Sequence, residues 1–217
     1  MVEKLPFWND LSEKEKAEVS EHARTQHFAK GTVLHAGQQD CSGLFLVENG
    51  RARAYIVTQD GKEVTLFRLT EGNVCIFSAS CLLKNITFDV WVCAETDIDT
   101  VLLPSAVYNR ISQKNIELAN FTKEVLSERL SDIMWVLEQI LFQTFDVRLA
   151  GFLLEESNYE ESNEIHLTHE QIARHLGSAR EVVSRMLKTF EDEGIICMGR
   201  GKITITDAVE LRAKAGY

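Results

Sequence analysis

The chain has no apolar run approaching the roughly 20 residues that a membrane-spanning helix needs, and no signal segment. Those absences predict a soluble, cytoplasmic protein with no membrane partner. No P-loop, GxSxG elbow, HExxH motif or dinucleotide fingerprint occurs, so catalysis is not expected. The segment HEQIARH comes nearest to a metal motif, but His169 and His175 stand six residues apart and do not share a helical face. Positive charge is also scarce. With 23 Lys and Arg against 33 Asp and Glu, the formal net charge is -10, which argues against indiscriminate adhesion to nucleic acid. The first 40 residues hold no cysteine.

What is present is enough for two globular domains: 217 residues, 45% hydrophobic and 26% charged. The most informative stretch runs from Leu167 to Phe190 and reads as a helix, a tight turn and a second helix. Thr168 and Gln171 form a capping box ahead of the apolar face Ile172, Ala173 and Leu176. Gly177 supplies the left-handed turn, and Ser178 is expected to cap a second helix whose inner face is Val182, Val183, Met186 and Leu187. Its outer face is Arg180, Glu181, Ser184 and Arg185. Arginine grips guanine bidentately, glutamate accepts from the cytosine amino group and serine bonds either way, so these four are expected to read bases. The alternative is an ordinary amphipathic hairpin with solvated charges.

The residues that follow weigh against that alternative. Ile195 to Met198 and Lys202 to Thr206 read as short strands joined by Gly199-Arg200-Gly201, which makes a wing. Thr168, His169, Ser178, Arg200 and Lys202 are candidates for contacts to the DNA backbone. From Arg174 to Lys202 six Lys or Arg face four acids, a local charge of +2. Such a modest positive surface predicts weak non-specific binding and a need for two half-sites.

Upstream, a short helix is expected from Leu11 to His22, capped by Asn9 or Ser12. Strands follow at His27 to Leu34, Gly43 to Val47, Gly50 to Thr58, Glu63 to Leu69, Asn73 to Ile76, Thr87 to Ala94 and Asp97 to Leu103. That many short strands imply a barrel or sandwich. Ser112 to Gln143 contains no Gly or Pro and reads as one long helix. Leu126, Leu130, Ile133, Leu137 and Ile140 recur at four, three, four and three, a heptad seam for a second copy of the chain. Phe121, Val125, Met134, Trp135, Val136, Leu141 and Phe142 widen it, so one face can cover the barrel while another meets a partner. Gln143 to Asp146 is the expected hinge.

In this order, the features resemble the CRP/FNR family of homodimeric bacterial transcription factors, named for the cyclic AMP receptor protein and the fumarate-nitrate reduction regulator. The resemblance covers nearly the whole chain: Gly31 to Pro104 is similar to the sensor barrel, Ser112 to Gln143 to the dimer helix, and Phe145 onward to the DNA-binding domain. Arg180, Glu181 and Arg185 match the base readers of one branch, and Glu181, Ser184 and Arg185 those of the other. The resemblance implies an α+β fold: a β-roll of the cyclic-nucleotide-binding jelly-roll type over 1–111, a dimerisation helix over 112–143 and a winged helix-turn-helix over 144–217. It also implies a palindromic promoter site with half-sites near the TGTGA and TTGAT types, RNA polymerase as a partner, and an effector bound in the barrel.

The effector is not identified by the residues. Cyclic-nucleotide members pair the phosphate with an arginine and the ribose with a glutamate, whereas here Phe77 and Phe88-Asp89 fall at those places. Without that cation, and with Asp89 close by, a cyclic phosphodiester is repelled, so cyclic AMP is not expected. Cys75, Phe77, Ser78, Ser80, Cys81, Phe88 and Asp89 mark the expected pocket. Ser78 and Ser80 suit a smaller anion, and Phe77 and Phe88 an apolar or planar ligand. Cys75, Cys81 and Cys93 could form a thiol switch or metal site, but with Cys41 and Cys197 they read better as small buried hydrophobes, and no metal is assigned. An iron-sulfur cluster is not expected without N-terminal cysteines. Haem on His27, His35 or a cysteine is not expected either, since a lone strand histidine is usually structural. A cyclic-nucleotide-binding signalling adaptor without a DNA role is the competing function; it would lack the winged helix and would need the missing arginine.

Overall fold

The computed structural model describes residues 2–37, 43–76 and 89–216, which fall into two compact units, one of 2–37, 43–57, 65–76 and 89–134 and one of 58–64 and 135–216. Among the described residues the first unit is built on eight strands, the fifth of which begins in the second unit: β1 (Arg24–Phe28), β2 (Val33–Ala36), β3 (Leu44–Asn49), β4 (Ala52–Val57), β5 (Glu63–Leu69), β6 (Val74–Cys75), β7 (Trp91–Ala94) and β8 (Ile98–Leu103). They form two four-stranded sheets, β1-β8-β3-β6 and β2-β7-β4-β5. Strand β3 shows how alternation builds two cores at once. Phe45 and Val47 face the core between the sheets, and Leu44 and Leu46 face a second core on the outer side. That outer core is closed by Phe7 from the N-terminal turn and by Val19, Tyr108 and Leu118 from the flanking helices.

Helix α1 (Glu13–His22) starts where Ser12 and Glu15 complete a capping box, which selects Ser12 over Asn9 as the cap. The single strand expected from His27 to Leu34 is two strands, because Ala29 to Thr32 close a turn through the Thr32 amide on the Ala29 carbonyl, with Gly31 at φ 86°. The long helix also differs from expectation. Ser112 ends a separate helix, α2 (Ser105–Ser112), and α3 runs Ile116–Phe142. Asn115 enforces the break. Its side-chain oxygen accepts from the amides of Glu117 and Leu118 at 3.1 and 3.2 Å, and its amide group donates to the Asp10 carbonyl.

The heptad seam divides. Leu126 and Ile133 pack against the barrel core alongside buried Val125, whereas Leu130, Leu137 and Ile140 are exposed. Met134, Trp135, Leu141 and Phe142 are exposed with them, leaving a row of large apolar side chains on α3 uncovered within one chain.

The second unit contains α4 (Phe145–Tyr159), β9 (Glu164–Ile165), α5 (His169–Leu176), α6 (Arg180–Asp192), β10 (Ile196–Gly199), β11 (Lys202–Ile205) and α7 (Ala208–Lys214). The strands form one antiparallel sheet, β10-β11-β9. Its core joins Leu149 and Leu153 of α4, Ile172 of α5, Val183, Leu187 and Phe190 of α6, and Ile196 and Ile203 of the sheet. Gln143 and Thr144 separate α3 from α4, within the stretch expected as a hinge. Among the described residues no helix is long and apolar enough to cross a membrane.

Candidate nucleic-acid interface

Thr168 caps α5 through the expected box: its hydroxyl accepts from the Gln171 amide at 3.2 Å, and its own amide donates to Gln171 Oε1 at 2.8 Å. The helix ends at Gly177, whose φ of 63° lies in the left-handed region that a side chain adopts only at a cost. Ser178 does not cap the next helix. Its amide bonds back to the Ala173 carbonyl, closing α5, and Ala179 occupies the cap of α6 with no side-chain bond. The first amides of α6 therefore have no capping side chain to satisfy them, an end of helix that favours a phosphate oxygen.

On α6, Val183, Leu187 and Phe190 are buried and Arg180, Glu181 and Arg185 are exposed. The four expected base readers differ in one respect. Ser184 is half-buried, with its Oγ 2.8 Å from Nδ1 of His169. Burial, and then the charge of Arg180, hold the His169 imidazole below the usual histidine range, which favours its neutral form.

In the wing, Gly199 pairs with Lys202, leaving Arg200 exposed at a two-residue tip with Gly201 at φ 76°. Glu191 ties the wing to α6 by accepting from the Met198 amide at 2.9 Å. That hydrogen bond, followed by Lys188, keeps the Glu191 carboxyl below the usual range. The acid run is neutralised locally: Lys188 pairs with Glu191 and Asp192, and Lys214 pairs with Glu193. Lys202 pairs with Glu164, whose carboxyl is lowered by that contact. Nothing in the residue pattern pointed to Glu164 as this partner.

A cleft of about 450 Å³ opens between the start of α5, the start of α6 and the wing, and is lined by Thr168, His169, Arg180, Gly201 and Lys202 among others. The Thr168 hydroxyl donates to Gln171 Oε1 at 3.0 Å, so its proton is spent within the cap. His169, Arg180 and Lys202 reach the cleft from three separate elements, with Glu170 as an acidic neighbour in the lining.

Sequence reading missed two arginines. Arg148 on α4 donates to the Leu176 carbonyl at 3.3 Å, closing the C-terminal end of α5. Arg129 lies buried on α3. The signal in both cases is a lone arginine inside an apolar helical face.

Of the expected effector pocket, Cys75 is buried in the barrel core and Asp89 is exposed beside Gly37, while Phe77, Ser78, Ser80, Cys81 and Phe88 lie outside the described residues, as does Cys41. His27 bonds Asp99 at 2.8 Å on the surface, His35 is buried on β2, Cys93 is half-buried on β7 and Cys197 is exposed on the wing. These groups are spread over different strands.

A β-roll joined to a winged helix whose cleft gathers basic side chains at an uncapped helix start defines a transcription regulator that binds DNA. Comparison with known proteins gives the same result. Residues 147–214 match the Crp-like helix-turn-helix domain and residues 25–115 the cyclic nucleotide-binding domain. A solved transcriptional regulator of the CRP/FNR family from Eubacterium rectale is 44% identical, with 99% of each chain covered and a TM-score of 0.97. A CRP/FNR-family regulator from Thermus thermophilus is 25% identical over 89% of this chain and 99% of its own, with a TM-score of 0.73. The cAMP-activated global transcriptional regulator Vfr of Pseudomonas aeruginosa is 25% identical over 183 residues, 80% of this chain and 84% of the relative. The chain belongs to the CRP/FNR family of DNA-binding transcription regulators, which are not enzymes.

Proposed function

We propose that the chain acts in the cytoplasm as a homodimer that reads an inverted-repeat promoter site and answers to an effector held by its β-roll. The observation that carries the DNA side is the cleft: His169, Arg180 and Lys202 line it at the start of a helix that has no side-chain cap. In this reading α6 enters the major groove, Arg180, Glu181, Ser184 and Arg185 meet base edges, and His169, Ser178, Arg200 and Lys202 meet the backbone. Thr168 holds the frame that presents His169 and contributes less directly than its sequence position suggests.

The exposed apolar row on α3 supports the dimer. Leu130 is 60% exposed, Trp135 54% and Phe142 78%, more large apolar surface than a lone chain leaves uncovered without a partner. A two-fold axis along this row gives two α6 helices for two half-sites about one turn of DNA apart. RNA polymerase is the partner a promoter-bound regulator of this family meets.

Fluorescence anisotropy on full-length protein tests the reading. A duplex with two inverted half-sites of the TGTGA or TTGAT type should bind at least about 100-fold more tightly than a scrambled duplex at the same salt. Equal affinity for the two would overturn it.

A further inference from the structure

Helix α3 turns one charged side chain toward the barrel. Val125 is buried in the core between the sheets and Ile133 packs against it; Arg129 stands four residues from each and shares their face. It is 9% exposed, and its guanidinium carbon lies 4.9 Å from the centre of the Phe67 ring, which belongs to the same core. Nη1 donates to Asp132 at 2.6 Å, and Nη2 is 4.0 Å from a Glu128 carboxylate oxygen, beyond hydrogen-bond reach. Nε is buried with no hydrogen-bond partner among the described residues.

A guanidinium carries five N–H donors in a fixed fork. Here one edge is engaged by Asp132, and the opposite edge, Nε with Nη2, makes no hydrogen bond to a described residue. Burying a cation with unmet donors is costly, and a methionine or leucine would fill a purely structural helix face better. Asp132 is 39% exposed, so it balances the charge from the solvent side of the arginine. The cluster that receives this face is apolar, with Leu66, Phe67, Cys75 and Ile76 among its members. An open bidentate edge beside an aromatic ring suits one ligand chemistry, a planar carboxylate on an apolar body.

We propose that Arg129 is the anion receptor of the effector site, and that the site takes a small organic carboxylate. Nε and Nη2 hold the two carboxylate oxygens in parallel bonds while Nη1 keeps Asp132, and the apolar body lies against Phe67. This rests on the reading of the β-roll as the sensor and assigns the charge of what it senses.

Calorimetric titration of full-length protein with benzoate and with its neutral analogue benzamide tests the proposal, using wild type and Arg129→Met. Wild type should bind benzoate at least about tenfold more tightly than benzamide, and Arg129→Met should lose roughly 10- to 100-fold in benzoate affinity with benzamide unchanged. Without ligand, Arg129→Met should melt at or above the wild-type temperature, because the variant removes a buried charge and leaves Asp132 solvated. No preference for benzoate in wild type, or undiminished benzoate binding in the variant, would overturn the proposal. So would a fall of several degrees in the variant's melting temperature, which would make Arg129 a structural ion-pair partner. Anisotropy on the inverted-repeat duplex, run in parallel without ligand, keeps the two readings apart. Intact duplex binding with failed benzoate arms overturns the effector assignment alone.

Discussion

His169 Nδ1 lies 2.8 Å from Ser184 Oγ, joining the first residue of α5 to the middle of α6. A serine hydroxyl on its own rotates freely among rotamers. Here the imidazole fixes it, and the same imidazole lines the cleft beside Arg180 and Lys202. His169→Ala and Ser184→Ala should therefore relax preference at the same base pair by about 1 kcal/mol each, and the double variant should add little. Binding selection on the three variants measures this; additive losses at different base pairs would separate the two residues.

The pH response follows from the same histidine. Its folded pKa lies below the ordinary value, so the stability it contributes is fully present above about pH 6.5 and is lost as pH falls through the folded value. Melting temperatures taken across about pH 8 to 5 should decline below that point in wild type, and decline less in His169→Gln.

Salt dependence separates phosphate contacts from base contacts. Lys202→Ala should weaken binding to all sequences alike and reduce the salt slope by about 1. Glu164 holds Lys202 and adds a negative charge beside the wing, so Glu164→Gln should tighten binding to all duplexes at low salt. A change confined to one sequence in either variant would place these residues at a base.

The two faces of α3 make opposite predictions. Leu137→Glu, on the exposed row, should give a folded monomer by light scattering. Ile133→Ala, half-buried against the barrel core, should instead lower the melting temperature, costing about 1 kcal/mol or more, and leave the oligomeric state unchanged.

Gly177→Ala should destabilise the second unit by more than about 1 kcal/mol, since alanine must adopt the left-handed conformation at φ 63° and its Cβ would lie 2.5 Å from Val64 Cγ2. Thermal unfolding reports it directly.

The helix-turn-helix and wing were legible because local chemistry decides them: a capping box at Thr168 and Gln171, a glycine at the turn, and strands on either side of Arg200. What the sequence hid was tertiary. Gln113, Lys114 and Asn115 include no glycine or proline, and the break there depends on the Asn115 side chain capping the start of α3 while reaching the Asp10 carbonyl. The heptad pattern showed that α3 has apolar surface to spare, but only packing decides that Leu126 and Ile133 serve the barrel while Leu130, Leu137 and Ile140 do not. Ser178 has a capping side chain and sits one residue too early to use it on α6. Arg129 reads as one more polar residue of a long helix until packing sets the Phe67 ring beside it.

The most direct test of the account is selection and sequencing of DNA bound by the full-length protein, in parallel with Arg185→Ala. The account predicts an enriched inverted repeat with half-sites about one helical turn apart, and a loss of roughly 1 to 3 kcal/mol of preference at one base pair per half-site in the variant. An unpatterned pool, or a variant that keeps the wild-type preference at every position, would contradict it.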